Sequence, residues 1–480
     1  MEARPAAPIE PMRTVLLLGC LVAVLSVAAA LFSKDHPVLR PWPANPWYWS
    51  VNDQPVLLLG GSDDDNLFQW SEQALIAQLD RLAAAGGNYI RNTMSDRRIE
   101  GFEIYPYARR PDGRYDLNRW NDEYWQRFER LLRETARRNI VVQIEVWDRF
   151  DFTDHTSEKH WQAHPYNPAN NVNYTASQSG LAVLYPDHPG LNRQPFFFTT
   201  PHQRHNRTLL AYQQRFVDKL LEHSLGYDHV LYCIDNETNG EAAWAHYWAD
   251  YIRKRARQRD REVQVTEMWG AWRLTAAEHR HTFDYPELFA YVELSQNTHN
   301  RGDRQWEELS VARAYLGGRP RPMNTVKVYG ADGSDFGRTD QVGVERFWIQ
   351  LFGGSAAVRF HRPDAGLGLG DLAVASLRAA RKLNERVPLW SVQPANGLLA
   401  DREANEAYLV ADGRGSYGLY FPAGGAVRVD LRAAAGDLTL QWIDISSGEW
   451  AGQQSISGGR AVAITAPGPG SWAATIVRQP

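Results

Sequence analysis

The sequence predicts a parallel (β/α)8 barrel followed by a small antiparallel β-sandwich. Three observations predict it. Short apolar runs alternate with stretches of helical spacing for most of the chain. Those runs end in polar residues such as Asp235-Asn236-Glu237, the place where barrel enzymes keep their chemistry. Past Pro388 the helical spacing stops, and short strand-like runs separated by Gly- and Pro-containing turns take over. The expected division is residues 1–34 as a signal peptide or membrane anchor, 35–388 as the barrel and 389–480 as the sandwich.

Composition narrows the function classes. Charged residues are 22% and apolar residues 44% of the chain, the balance of a folded globular protein. A net charge of −4 gives no electrostatic footprint for nucleic acid or anionic membranes. The 18 Trp and 21 Tyr suit stacking on sugar rings, and they suit cores equally well. Two cysteines, Cys20 in the leader and Cys233 in a buried strand, make no disulfide framework.

Thr14–Phe32 is uncharged and preceded by Arg13, so the chain is expected to be exported: secreted, periplasmic or tethered to a membrane. Val56–Leu59, ending in Gly60-Gly61-Ser62-Asp63-Asp64-Asp65, reads as the first barrel strand. A helix over Ser71–Ala85, with Ser71 as N-cap and Leu75, Leu79 and Leu82 on one face, is stopped by Gly86-Gly87. Asn88–Asn92 is the second strand. A loop with Tyr105, Tyr107 and Tyr115 leads through Asp116–Asn121 into a helix over Asp122–Arg138. Asn139–Val146 is the third strand, and Phe152–Thr200 is a long, weakly periodic insertion expected over the mouth of the barrel. After a helix over Leu209–Leu225, Val230–Ile234 is the fourth strand. Val263–Trp269, Leu288–Val292, Pro322–Tyr329 and Ala356–His361 are the fifth to eighth, with helices expected over about Thr339–Phe352 and Ala373–Asn384.

The strand ends gather Asp63, Arg91, Asn92, Glu145, Asp148, Asn236, Glu237, Glu267, Glu293, Lys327, Arg359 and His361. Several acids around one mouth suit glycoside cleavage, which needs one neutral and one ionised carboxyl group. No His-Glu-x-x-His spacing occurs and the histidines near the insertion (His155, His160, His164, His202, His205) are scattered, so no metal is expected. Ala365–Gly370, reading AGLGLG, follows a strand without the rest of a nucleotide fingerprint, and no cofactor is expected.

At Trp49–Asp65 (WSVNDQPVLLLGGSDDD), Tyr115–Asp151 and Tyr232–Ile252 (YCIDNETNGEAAWAHYWADYI) the chain resembles barrel glycoside hydrolases of the apiosidase-like group, in the clan with an Asn-Glu pair on strand four. LQWIDISSGEW and TAPGPGSWAATI resemble the small C-terminal sandwich that carries a collagen-binding label in such proteins. The resemblance implies hydrolysis of O-glycosidic bonds in a poly- or oligosaccharide. Glu237 would be the acid/base, and Asn236 would hold a sugar hydroxyl. The clan's strand-seven nucleophile is a glutamate, whereas Lys327 stands in that region here. Three expectations follow: the nucleophile or base has moved to Glu293 or Glu267, the enzyme inverts with water as nucleophile, or the barrel binds carbohydrate without cleaving it. A structural role for Glu293, paired with Arg359 or Lys327, stands beside the catalytic one. Asp63, Asn92, Glu145, Trp269, Lys327 and His361 are the expected substrate contacts.

Overall fold

Apolar runs too short for helices, and buried on both faces, can satisfy their backbone only as interior parallel strands. In the computed structural model, which describes residues 39–94, 104–157, 159–331, 333 and 337–478, they do so. The barrel strands are Leu58–Gly61 (β1), Tyr89–Thr93 (β2), Val141–Asp148 (β3), Val230–Asn236 (β4), Gln264–Thr266 (β5), Val292–Glu293 (β6), Met323–Val328 (β7) and Ala357–Phe360 (β8). They pair in the order β5-β4-β3-β2-β1-β8-β7-β6. The seam between β5 and β6 is bridged by Ala290 N donating to Val265 O (3.2 Å) and Thr266 Oγ1 donating to Tyr291 O (2.8 Å). The leader at residues 14–32 lies outside the described residues. Among those described, no helix is long and apolar enough to cross a membrane.

Among the described residues, seven long helices surround the strands: Glu72–Ala84 (α1), Asp122–Ala136 (α2), Arg207–Ser224 (α3), Ala242–Arg257 (α4), Gly302–Leu316 (α5), Asp340–Phe352 (α6) and Asp371–Arg386 (α7). Ser71 caps α1 as expected, its side chain accepting from Ala74 N. The expected face of α2, with Tyr124, Trp125, Phe128, Leu131 and Leu132, is buried. α5 escapes the sequence pattern because its buried apolar face is thin: Leu309, Ala312 and Leu316 pack inward, while Val311 and Tyr315 face solvent. The stretch expected as a loop and helix lead-in is instead a hairpin, Tyr107–Arg109 against Tyr115–Trp120, turned at Asp112-Gly113.

One glycine fixes how closely two barrel strands approach. A Cβ on Gly60 would lie 1.7 Å from the carbonyl oxygen of Tyr89, its partner in β2. Gly60→Ala is therefore expected to push β1 from β2 and destabilise the fold by about 1–3 kcal/mol or more, read as a fall in the denaturation midpoint.

The insertion after β3 is held by short helical turns around its own aromatic cluster. Phe152 and Phe196 lie 4.2 Å apart between ring centroids, with Trp161 and Tyr166 beside Phe152. It is tied to the β4 loop by Asn239 Nδ2 donating to Gly190 O (3.1 Å) and by Arg149, which bridges Asn192 Oδ1 (2.8 Å) and Asp235 Oδ2 (3.0 Å).

The C-terminal strands form two antiparallel sheets. One runs Gln393–Pro394, Tyr408–Ala411, Tyr417–Phe421, Trp472–Arg478, Asp437–Asp444, Glu449–Ser457; the other runs Leu399–Ala400, Ala426–Asp430, Ala461–Thr465. Leu409, Leu419, Phe421, Val429, Leu440 and Ile476 fill the space between them. The outer face of the larger sheet does not meet solvent everywhere. Tyr408, Tyr420, Ile443 and Ala473 continue the barrel's own core, with Tyr420 stacked on Trp348 of α6 at 5.5 Å. Arg402 with Asp303 and Lys382 with Glu449 pair at the edges of that contact.

Candidate functional site

β4 delivers Asp235-Asn236-Glu237 to the mouth of the barrel, and its register with β3 places Asn236 opposite Asp148. Asn236 Nδ2 donates to Asp148 Oδ2 (3.0 Å), while its Oδ1 accepts from Lys327 Nζ. At Glu237 the strand breaks off with φ +44°, a left-handed conformation uncommon for a residue with a side chain. Such outliers cluster at functional sites because the surroundings must hold them. Its carboxylate oxygen Oε1 accepts from both the Lys327 ammonium and the Tyr329 hydroxyl, the latter at 2.6 Å. Lys327 and Tyr329 reach the same carboxylate because residues two apart along an extended chain share a face. Arg346 of α6 secures Tyr329 through the backbone, donating to its carbonyl at 3.1 Å.

Burial alone would push the Glu237 carboxyl group up. The adjacent Lys327 charge, with the hydrogen bonds from Lys327 and Tyr329, outweighs it and holds the group well below the usual carboxylate range. The same burial lowers the Lys327 ammonium, against the pull of Glu237. Lys327 is 2% exposed, whereas the Glu237 side chain is 22% exposed, so of this pair the carboxylate is the partner open to the mouth.

A second cluster gathers residues from β2 and β8 and from the loops that follow β1 and β8. Asp65 is fully buried and meets Arg91 (2.5 Å), Arg359 (3.2 Å), Arg362 and, at 3.6 Å, His361 Nδ1. Arg91 also binds Glu145 at 2.6 Å. Burial raises the Asp65 carboxyl group, but Arg91, His361, Arg362 and Arg359 together bring it well below its ordinary value. Burial lowers the His361 imidazole well below its usual value, against the pull of Asp65. Glu145 is thus a structural partner of Arg91 in this state.

The remaining expected residues take other places. Asp63 Oδ1 accepts from Leu369 N (2.7 Å), and Asn92 Oδ1 accepts from Phe68 N (3.2 Å); both organise loops of the mouth. Glu267 is buried and accepts from the backbone of Asp235 and Met268, each at 2.9 Å. Burial, then the charge of Asp235, raises it well above a normal glutamate. Trp269, expected to meet substrate, is only 1% exposed and packs against His281 at 5.3 Å; a side chain so enclosed belongs to the core. Glu293 pairs with neither Arg359 nor Lys327. Its Oε1 accepts from Ser295 N (2.9 Å) and Ser295 Oγ (2.5 Å), and its Oε2 accepts from Gln143 Nε2 (3.2 Å).

Burial is the leading cause of a Glu293 pKa pushed up to about 7. A carboxyl group raised in the fold from about 4.3 in the unfolded chain stabilises most below the unfolded value, and that contribution is lost as pH rises through about 7. Glu293→Gln is expected to remove this slope: between pH 4 and pH 8, wild type loses stability relative to the variant in urea titrations.

Sequence reasoning missed three residues. Tyr329 follows Lys327 by two positions, a strand periodicity that pointed to a shared target. His299 stacks between Tyr329 (4.4 Å) and Trp272 (4.5 Å), and Trp272 is 46% exposed. The rings step from solvent to the hydroxyl that binds Glu237. A groove of about 980 Å³ opens on the β1–β8 side, lined by Asp63, Asp64, Trp70, Arg127, Arg130 and Arg362; it does not include Glu237.

Residues 108–268 match the model of a domain of unknown function, DUF6298. No curated protein matches the chain. Among solved structures, a glycoside hydrolase family 5 protein from Bacteroides vulgatus is 12% identical with a TM-score of 0.61, covering 92% of this chain and 94% of its own. A second, described as a glycoside hydrolase, is 10% identical with a TM-score of 0.63, covering 92% and 97%. Likeness at these identities establishes a shared fold, a (β/α)8 barrel with a C-terminal β-sandwich.

Proposed function

We propose that this protein hydrolyses O-glycosidic bonds in a poly- or oligosaccharide, with Glu237 as the reacting carboxyl group, and that it is related to the apiosidase-like members of the Asn-Glu clan. The observation that carries the proposal is Glu237 itself: left-handed backbone, an open carboxylate, and dedicated donors in Lys327 and Tyr329. Glycoside hydrolase neighbours of the same fold support it. The role implied by the clan, acid/base, requires a proton on Glu237 when the bond breaks, and Lys327 opposes that proton in the free protein. Neither Glu267 nor Glu293 offers an open carboxyl group to take the second role: their side chains are enclosed and already hydrogen-bonded.

The second reading, a barrel that binds carbohydrate without cleaving it, is favoured by the same ion pair, because Lys327 neutralises the open carboxylate of the mouth. A glycan panel incubated with the protein lacking residues 1–34, with products read by mass spectrometry, separates the two. Cleavage by wild type that Glu237→Gln abolishes supports hydrolysis; saturable binding without product supports the second reading. Export or tethering through residues 14–32 completes the proposal, and fractionation of cells making the full chain tests it: recovery only in the cytosol would sink it.

A further inference from the structure

The clan to which the proposed function appeals places its proton donor on strand four and its ionised nucleophile on strand seven. Here the chemistry at those two places is reversed. The strand-four residue, Glu237, has the surroundings of a nucleophile: two donors, Lys327 Nζ and Tyr329 OH, converge on Oε1, an arrangement that favours the ionised form. The strand-seven residue, Lys327, is an ammonium with three N–H donors. It is enclosed to 2% exposure and spends two donors on Asn236 Oδ1 and Glu237 Oε1. A lysine enclosed in this way gives up its proton more readily than one in water.

We infer that the two residues have exchanged roles, Glu237 acting as nucleophile and Lys327 as acid and then base; the inference rests on the proposed hydrolysis. In the first step Glu237 Oε2 bonds to the anomeric carbon as the bond to the leaving oxygen breaks. That oxygen takes a proton from Lys327 Nζ, leaving an amine. In the second step water attacks the anomeric carbon, gives its proton to the amine and releases the carboxylate, which regains its bonds from Tyr329 and the ammonium. The pair is neutral throughout, first as carboxylate with ammonium and then as ester with amine, so the enclosed lysine never stands as an unpaired charge. Because the two groups touch in the free protein, Lys327 must withdraw along its flexible stem as the sugar enters. The catalytic groups of retaining enzymes stand about 5 Å apart.

Leaving-group chemistry tests the exchange. A panel of 2,4-dinitrophenyl and methyl glycosides is offered to wild type, Lys327→Met and Glu237→Ala, with folding of each checked by circular dichroism. A dinitrophenolate leaves without a proton, so Lys327→Met should keep kcat/KM on dinitrophenyl glycosides within about tenfold of wild type, with kcat falling because the second step has lost its base, while kcat/KM on methyl glycosides falls by about 10²–10⁴-fold. Glu237→Ala should lose both, and azide should restore it with a glycosyl azide of inverted configuration. The opposite pattern overturns the exchange and leaves hydrolysis standing: dinitrophenyl activity surviving in Glu237→Ala, with a glycosyl azide of retained configuration. Wild-type protein treated with 2-deoxy-2-fluoro dinitrophenyl glycosides gives an independent readout. A mapped adduct on Glu237 supports the inference, and an adduct on any other residue overturns it. Failure of wild type to cleave any member overturns the function reading itself, a different result from either.

Discussion

Asp65→Ala is expected to lower the stability of the fold by about 3–5 kcal/mol, the cost of stripping one partner from a buried charge cluster. The carboxylate faces Arg91, Arg359 and Arg362, and the first two are fully enclosed. Arg91 would keep Glu145, and Arg359 would keep the Val326 carbonyl at 2.7 Å, but the cluster would hold a surplus of buried cation. Denaturant titration at pH 7 measures the loss. Its pH dependence has a definite sign. The folded Asp65 carboxyl group lies below its unfolded value of about 3.9, so its contribution is complete above about pH 4 and fades as pH falls through the folded value. The gap between wild type and variant should therefore narrow in acid. A gap that stays constant from pH 7 down to pH 2, or is absent at pH 7, would contradict this account of the cluster.

Glu237→Gln carries the largest expected effect on activity, a fall of about 10³-fold or more on whichever glycan the wild type cleaves. The amide matches the carboxylate in shape and can still accept from Lys327 and Tyr329 through its oxygen, so binding should hold within a few-fold. It can neither attack nor transfer a proton. Initial rates and calorimetric binding on the same glycan separate the two effects. Equal losses in both would make Glu237 a binding residue.

Much of the barrel was legible in the sequence because each strand is a short apolar run with a polar end, a pattern set by burial on both faces. Asn236-Glu237 was legible for the same reason, standing where such a run stops. What surrounds Glu237 was not. Lys327 lies 90 positions away, and its reach depends on barrel closure and on the left-handed turn at Glu237, neither of which has a local signature. Trp269 and Trp272 are alike on paper. Only the course of the loop after β5 buries the first and exposes the second. Residues 107–120 read as a loop because the hairpin strands are short and carry few apolar residues, and its pairing is settled by the Asp112-Gly113 turn.

The contact between the larger C-terminal sheet and α6 bears on how this chain can be inherited and dissected. Since Tyr408 and Tyr420 join the same buried apolar cluster as the barrel and its helices, the two halves are expected to unfold as one cooperative unit. Heating should give a single calorimetric transition. A gene that ends near residue 388 would leave Trp348 and Phe352 facing water and yield an aggregating product. In this chain the sandwich is therefore not a freely exchangeable module: a replacement that lacked a ring at the place of Tyr420 would leave Trp348 and Phe352 without their cover.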